Sequence, residues 1–230
     1  MIGRDVELVV VDDAKEVAAV VANRLARAAA EGGNVVLTGG KTPQQAYEQA
    51  ATQAPDWSKV TVWWGDERCV PPDDENSNYG AAKKSLLDNL DVQPRAVHRI
   101  EGELGMDEAA AAYERELGDT TLDLLLLGIG PDGHVASLFP SAPTLRQEGR
   151  RVLAAKPGWE PYVDRVTLSL PALRGAKEIL FVVSGEVKAD AARRAFVEEP
   201  SDDTPASLVR ADSGRTTAIV DRAAAAGFGG

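Results

Sequence analysis

Short apolar runs alternate with amphipathic stretches along most of this 230-residue chain. Val6 to Val11, Asn34 to Thr38, Val60 to Trp64, Leu122 to Leu127, Ile179 to Val183 and Thr216 to Val220 read as strands. Several are apolar throughout and closed by Gly or Pro, as suits strands buried on both faces of a parallel sheet. Between them, apolar residues recur at helical spacing. Val17, Val20, Val21 and Leu25 follow a cap at Asp12 or Asp13, and Gly32-Gly33 ends that helix. Further helices are predicted over about Gln44 to Gln53, Tyr79 to Asp88, Met106 to Leu117 and Ala189 to Val197. Val97 to Ile100 is a weak strand, and Arg165 to Leu170 alternates like one. The alanine-rich tail reads as a short or frayed helix. Strands alternating with helices predict an α/β fold, a mostly parallel sheet with helices on both faces. Arg146 to Val163 fits neither period and is expected to be irregular, a small inserted subdomain or a lid. No Ser/Gly tract, long polar run or internal repeat divides the chain, so residues 1–230 are expected to form a single domain.

Composition narrows the picture. With 44% hydrophobic residues the chain can build a substantial core without staples. Cys69 is the only cysteine, which rules out an intrachain disulfide framework and fits a reducing compartment. No signal core or membrane-length apolar stretch is evident, so a soluble, cytoplasmic protein is expected. The net charge of −11 disfavours non-specific binding to nucleic acid or an anionic membrane. It also means that an anionic substrate would need local positive potential. Two histidines and one cysteine leave little for a zinc site, and no metal is expected.

The candidate chemistry sits where buried strands end, which in open α/β sheets is where ligands bind. The strand ending at Leu127 runs into Gly128-Ile129-Gly130-Pro131-Asp132-Gly133-His134. Gly128, Gly130 and Gly133 spell G-x-G-x-x-G, but a dinucleotide fingerprint needs a helix opening on the third glycine, and Pro140 and Pro143 cut any such helix short. The turn instead carries Asp132 and His134 to the sheet end. Gly39-Gly40-Lys41-Thr42-Pro43 has the makings of a phosphate cradle. Its glycines permit close backbone approach, and the following helix offers free N–H groups at its positive end. The alternative is an ordinary junction capped by Thr42, and the P-loop spacing is absent. Gly65-Asp66-Glu67-Arg68 supplies acids and an arginine able to hold an oxyanion bidentately, against the plainer reading of a surface ion pair. Trp63 and Trp64 read as core and wall. Lys188, after the last long buried strand, is placed to reach a phosphate, and Arg165 is a similar but ambiguous candidate. His98 lies in a weak strand without a motif and reads as structural.

Taken together these segments resemble the 6-phosphogluconolactonases, within the glucosamine-6-phosphate isomerase/deaminase-like superfamily. The resemblance spans nearly the whole chain. It rests on Gly39 to Pro43, Trp64 to Arg68, Asp74 to Gly80, Gly128 to Pro140, Arg165 to Leu168 and Gly185 to Lys188. Lys41 stands where the family often has a small residue, and Val135 where Thr is common. The resemblance implies a Rossmann-like fold and hydrolysis of 6-phosphoglucono-1,5-lactone in the pentose phosphate pathway, with no required cofactor.

Lactone hydrolysis calls for activated water, a stabilised oxyanion and a proton for the leaving ring oxygen. Imidazole titrates near neutrality, so His134 can serve both proton steps. Asp132 would orient it or bind a hydroxyl, and Asp66 would contact substrate. Arg68 and backbone N–H groups would stabilise developing charge. Gly39, Gly40, Lys41, Thr42, Arg165 and Lys188 would hold the phosphate. Two alternatives stand beside this reading. One is an amino-sugar-phosphate isomerase/deaminase, whose histidine loop characteristically continues into Asn-Glu-Pro where this chain has Ser137-Leu138-Phe139-Pro140. The other is a non-catalytic sugar-phosphate sensor, which would normally carry a DNA-binding helix-turn-helix, for which no room is expected before Val6. The sequence names no partner protein.

Overall fold

The computed structural model describes residues 6–228. The segment before Val6, expected to be too short for a DNA-binding unit, lies outside that range. The chain runs β1 (Val6–Val11), α1 (Ala14–Glu31), β2 (Gly33–Leu37), α2 (Lys41–Gln53), β3 (Val60–Trp64), β4 (Asp66–Arg68), α3 (Asn78–Ser85), β5 (Ala96–Val97), α4 (Met106–Leu117), β6 (Leu124–Leu127), β7 (Val152–Ala155), β8 (Arg165–Leu168), α5 (Leu170–Arg174), β9 (Glu178–Val183), α6 (Ala189–Phe196) and β10 (Arg215–Asp221). Local chemistry accounts for the first helix. The Asp13 side chain accepts from the amides of Lys15 and Glu16, and Val17, Val21 and Leu25 turn one apolar face inward.

Seven strands form one sheet in the order β1-β10-β9-β6-β2-β3-β5. Every neighbouring pair is parallel. The direction of travel across this sheet places the site. From β1 through β2 and β3 to β5 the chain moves one way; from β5 through β6 and β9 to β10 it moves back. Crossovers between parallel strands are right-handed, so the helices of the two journeys lie on opposite faces. The reversal puts β2 beside β6, with Val36 paired to Leu125. Connections leave these neighbours in opposite directions, opening a crevice at their carboxyl ends.

Four sequence expectations need correction. Arg146 to Val163 is not wholly irregular, because β7 lies within it and pairs antiparallel with β8. Its alternation is too short to stand out from the sequence. Asp66 to Arg68 is not a loop but strand β4, the other neighbour of β8 in a three-stranded sheet. Polar composition hid it, since its partners come from a hundred residues away in the chain, roughly the Asp66–Thr167 separation. The weak strand is confined to Ala96–Val97, and helix α3 stops at Ser85 before a short 3-10 turn.

Two buried tyrosines finish the strands that feed the crevice. Tyr47 Oη accepts from Thr38 N at 3.0 Å and donates to Thr38 O at 2.7 Å. Tyr113 Oη does the same for Trp64, accepting from its N at 2.9 Å and donating to its O at 3.0 Å. Each hydroxyl stands in for a neighbouring strand where the sheet has run out, and burial pushes both phenols up, Tyr47 and Tyr113 alike. Replacing Tyr113 with Phe leaves a buried N–H and C=O unpaired. The expected cost is about 1–3 kcal/mol of unfolding free energy, read by denaturant titration.

Candidate active site

The connection after β2 presents its backbone to the crevice. Gly39 is held so closely against Asn78 that a Cβ would overlap the Asn78 side-chain oxygen. Gly40 adopts a φ of 117° and caps α2 without any side-chain hydrogen bond, so Thr42 is not the cap. The helix begins at Lys41, earlier than the sequence pattern suggests. Among the described residues none accepts the amide hydrogens of Lys41 or Thr42, and Pro43 has none to offer. The terminus is open, with free amide hydrogens of the kind that favour an anion. Thr42 Oγ1 lies 2.7 Å from Ser184 Oγ, which ties the cradle to the connection after β9. The sequence does not mark Ser184 as functional, because a lone serine beside a strand carries no motif.

The connection after β6 folds into a tight turn. Gly130 N donates to His134 O at 2.8 Å and Gly133 N to Gly130 O at 3.0 Å. Gly133 takes a φ of 95°, open to glycine alone at low cost. Asp132 Oδ1 accepts from His134 N at 3.1 Å and from His134 Nδ1 at 2.6 Å. With Nδ1 donating to the carboxylate, the lone pair is left on Nε2. Burial works against the charge on Asp132, but the His134 bonds and charge outweigh it and hold the carboxyl below its usual range. Gly130 makes this geometry possible: a Cβ there would overlap both the His134 ring and the Asp132 carboxylate. Phe139 backs the imidazole at 5.0 Å between ring centroids.

The small sheet supplies the arginines. Pairing of β4 with β8 sets Arg68 opposite Arg165. Arg68 Nη1 donates to Asn76 O at 2.6 Å, while its buried Nε has no protein partner. Arg165 is 3% exposed and donates to the carbonyls of Val163, Trp159 and Pro161. Burial pushes its pKa down, and the neighbouring charge of Arg68 pushes the same way. Arg165 is thus a buried strand residue that ties down the 159–163 segment as well as facing the crevice. The Asp66 carboxylate is buried and already engaged, by Ser137 Oγ at 2.7 Å and Asn78 Nδ2 at 3.3 Å. Glu67, also buried, collects four hydrogen bonds from Arg68 N, Ser77 Oγ, Asn78 N and Tyr79 N. It fastens the 74–79 segment to the site. Burial nonetheless raises its pKa.

Lys188 arrives from the other side. It has no hydrogen-bond or ion-pair partner among the described residues, and burial lowers its pKa against the pull of Asp132. Its connection is anchored by Asp221 at the end of β10, whose carboxylate accepts from Gly185 N at 2.9 Å and from Ala224 N at 2.8 Å. Asp221 is a second residue that sequence gave no sign of, since its task is visible only once β10 lies beside β9.

These elements enclose a cavity of about 290 Å³. Gly39, Gly40, Lys41, Thr42, Asp66, Arg68, His134, Arg165 and Lys188 all line it, so the structure brings those sequence candidates together. Asp132 stands behind His134 rather than on the wall. His98 is elsewhere, stacked on Trp63 at 4.0 Å. Trp63 and Trp64 are buried. Among the described residues no three His, Cys, Asp or Glu side chains gather as metal ligands, and no helix is long and apolar enough to cross a membrane.

Comparison with known proteins matches residues 11–218 to the family described as glucosamine-6-phosphate isomerases/6-phosphogluconolactonase. A 6-phosphogluconolactonase of Streptomyces coelicolor is 37% identical over 219 residues, 87% of this chain and 84% of that protein. The Homo sapiens 6-phosphogluconolactonase is 38% identical over 73% of this chain and 68% of its own. The crystal structure of 6-phosphogluconolactonase from Thermotoga maritima superposes with a TM-score of 0.84 at 30% identity, over 95% of this chain and 100% of that one. A monomeric glucosamine-6-phosphate deaminase shares the fold with a TM-score of 0.80 at 24% identity, so fold alone does not separate the two chemistries.

The turn after β6 makes a direct prediction. Gly130→Ala is expected to leave the sheet intact but to push the imidazole off Asp132. Turnover should fall by about 10²-fold or more, on the scale of a displaced acid/base. Steady-state kinetics beside a thermal melt near wild type would check it.

Proposed function

The chain belongs to the glucosamine-6-phosphate isomerase/6-phosphogluconolactonase family, and from that premise we infer that it hydrolyses 6-phospho-D-glucono-1,5-lactone to 6-phospho-D-gluconate in the oxidative pentose phosphate pathway. The observation that carries this reading is the meeting, in one cavity, of an Asp132-oriented His134 with an open helix terminus and Lys188, unpaired among the described residues. We place the enzyme in the cytoplasm and read residues 1–230 as one lactonase domain.

In the mechanism His134 Nε2 takes a proton from water, and the resulting hydroxide attacks the lactone carbonyl carbon. Asp132 fixes the imidazole and stabilises its charged form. Arg68, with donor capacity left at Nε, faces the oxyanion of the tetrahedral intermediate. The carbon–ring-oxygen bond then breaks, and His134 returns the proton to the departing ring oxygen. The phosphate rests on the Lys41 and Thr42 amides, with Gly39 and Gly40 allowing its approach and Lys188 neutralising it. Arg165 adds positive potential while holding the 159–163 segment. Asp66, on the cavity wall, accepts one hydrogen bond at each oxygen, from Ser137 and Asn78, and its remaining lone pairs take a substrate hydroxyl.

The purified protein is expected to hydrolyse the lactone and to release no ammonia from glucosamine 6-phosphate. Ammonia release without lactone hydrolysis would instead establish the deaminase alternative, and neither activity would favour the sensor. His134→Ala should lower lactone turnover by about 10²–10⁴-fold and leave 6-phosphogluconate binding largely unchanged. Lys188→Ala should do the reverse. Loss of a charge-assisted contact worth about 1.5–3 kcal/mol weakens 6-phosphogluconate by roughly 10- to 100-fold. Calorimetry giving wild-type affinity for that variant would remove Lys188 from the phosphate site.

A further inference from the structure

The 156–164 segment carries a large aromatic side chain that the reaction scheme above does not use. Trp159 lines the cavity, and its ring centroid stands 6.5 Å from that of His134. It is 41% exposed, whereas Trp57, Trp63 and Trp64 are at most 3% exposed. An indole contributing to the core would not be left open in this way. Its main chain, by contrast, is fixed. Arg165 Nη2 donates to Trp159 O at 3.1 Å, and Lys156 Nζ pairs with Asp164 at 3.1 Å across the segment. Gly158 is pressed against the Phe139 ring so tightly that a Cβ would overlap it. The backbone is therefore held on both sides while the ring stays free to meet a ligand. Apart from His134, Trp159 is the one aromatic ring among the described lining residues.

We propose that Trp159 is the platform for the sugar ring of the substrate, a specificity-determining residue that packs on the C–H face of the lactone while the phosphate occupies the cradle. This rests on the lactonase reading. The chemistry is complementary: polar groups on the remaining wall take the hydroxyls and phosphate, and the indole face takes the apolar side of the ring. Inorganic phosphate, with no carbon skeleton, gains nothing from it, whereas the carbon chain of the ring-opened product 6-phosphogluconate still packs against the indole.

The test uses emission and kinetics together. Binding of 6-phosphogluconate is expected to change the tryptophan emission of the wild-type protein, and inorganic phosphate is not. Trp159→Phe should abolish that change while calorimetry still detects 6-phosphogluconate. Trp159→Ala should raise KM for the lactone by about three- to tenfold with kcat within about twofold. A full ligand-induced emission change in Trp159→Phe, or an unaltered KM in Trp159→Ala, would overturn the assignment. Absence of lactone hydrolysis by the wild-type protein would instead overturn the lactonase reading, and the platform with it.

Discussion

A chain of net charge −11 that holds an anion must concentrate positive potential in one place and keep its own carboxylates out of the way. Much of the architecture follows from that constraint. The parallel sheet reverses its direction of travel between β2 and β6, and the crevice there receives a helix terminus, two arginines and a lysine. Exposed Glu160 lines the cavity without a hydrogen bond or ion pair among the described residues, but four other nearby carboxylates are occupied. Asp66 is engaged by Ser137 and Asn78, Glu67 by three amides and a hydroxyl, Asp221 by Gly185 and Ala224, and Asp132 by His134. Lys188 and the amides of Lys41 and Thr42 are left for an anion. The desolvation that lowers the pKa of Lys188 and Arg165 is the cost of keeping these charges inside the cavity.

The second requirement is a histidine with one nitrogen committed and the other free. Glycine at 130 and at 133 shapes the turn so that Asp132 reaches back to Nδ1, two residues along the chain. The turn is buttressed from outside the sheet. Ala206 N donates to Gly133 O at 3.0 Å, and Ser137 N donates to Thr167 Oγ1 at 3.1 Å. The open terminus of α2 and the His134 turn thus follow adjacent parallel strands, and their separation is set by sheet geometry rather than by flexible connections.

Much of this was legible in the sequence, and for physical reasons. Apolar runs such as Leu124–Leu127 and Ile179–Val183 lie in the middle of the sheet, where both faces are buried, so their composition announces them. Glycines at 39, 40, 130 and 133 mark places where a side chain would collide or the backbone turn unfavourably. Asp132, His134, Thr42 and Lys188 follow from those boundaries. What escaped was non-local. Strand β4 is polar and pairs with β8 far along the chain, and β7 is only four residues long. Ser184 and Asp221 act through partners that only the folded sheet brings near. Trp159 sits in a stretch with no periodicity, and its importance depends on where Arg165 and Phe139 hold it.

The central claim is that the substrate lies across the crevice with its phosphate on α2 and its carbonyl carbon at His134. A crystal structure with 6-phosphogluconate bound tests this most directly. The account predicts phosphate oxygens within hydrogen-bond distance of the Lys41 and Thr42 amides and of Lys188 Nζ, with the product carboxylate beside His134 Nε2. A ligand bound the other way round, carboxylate on the helix terminus and phosphate at His134, or one seated outside this cavity, would contradict it.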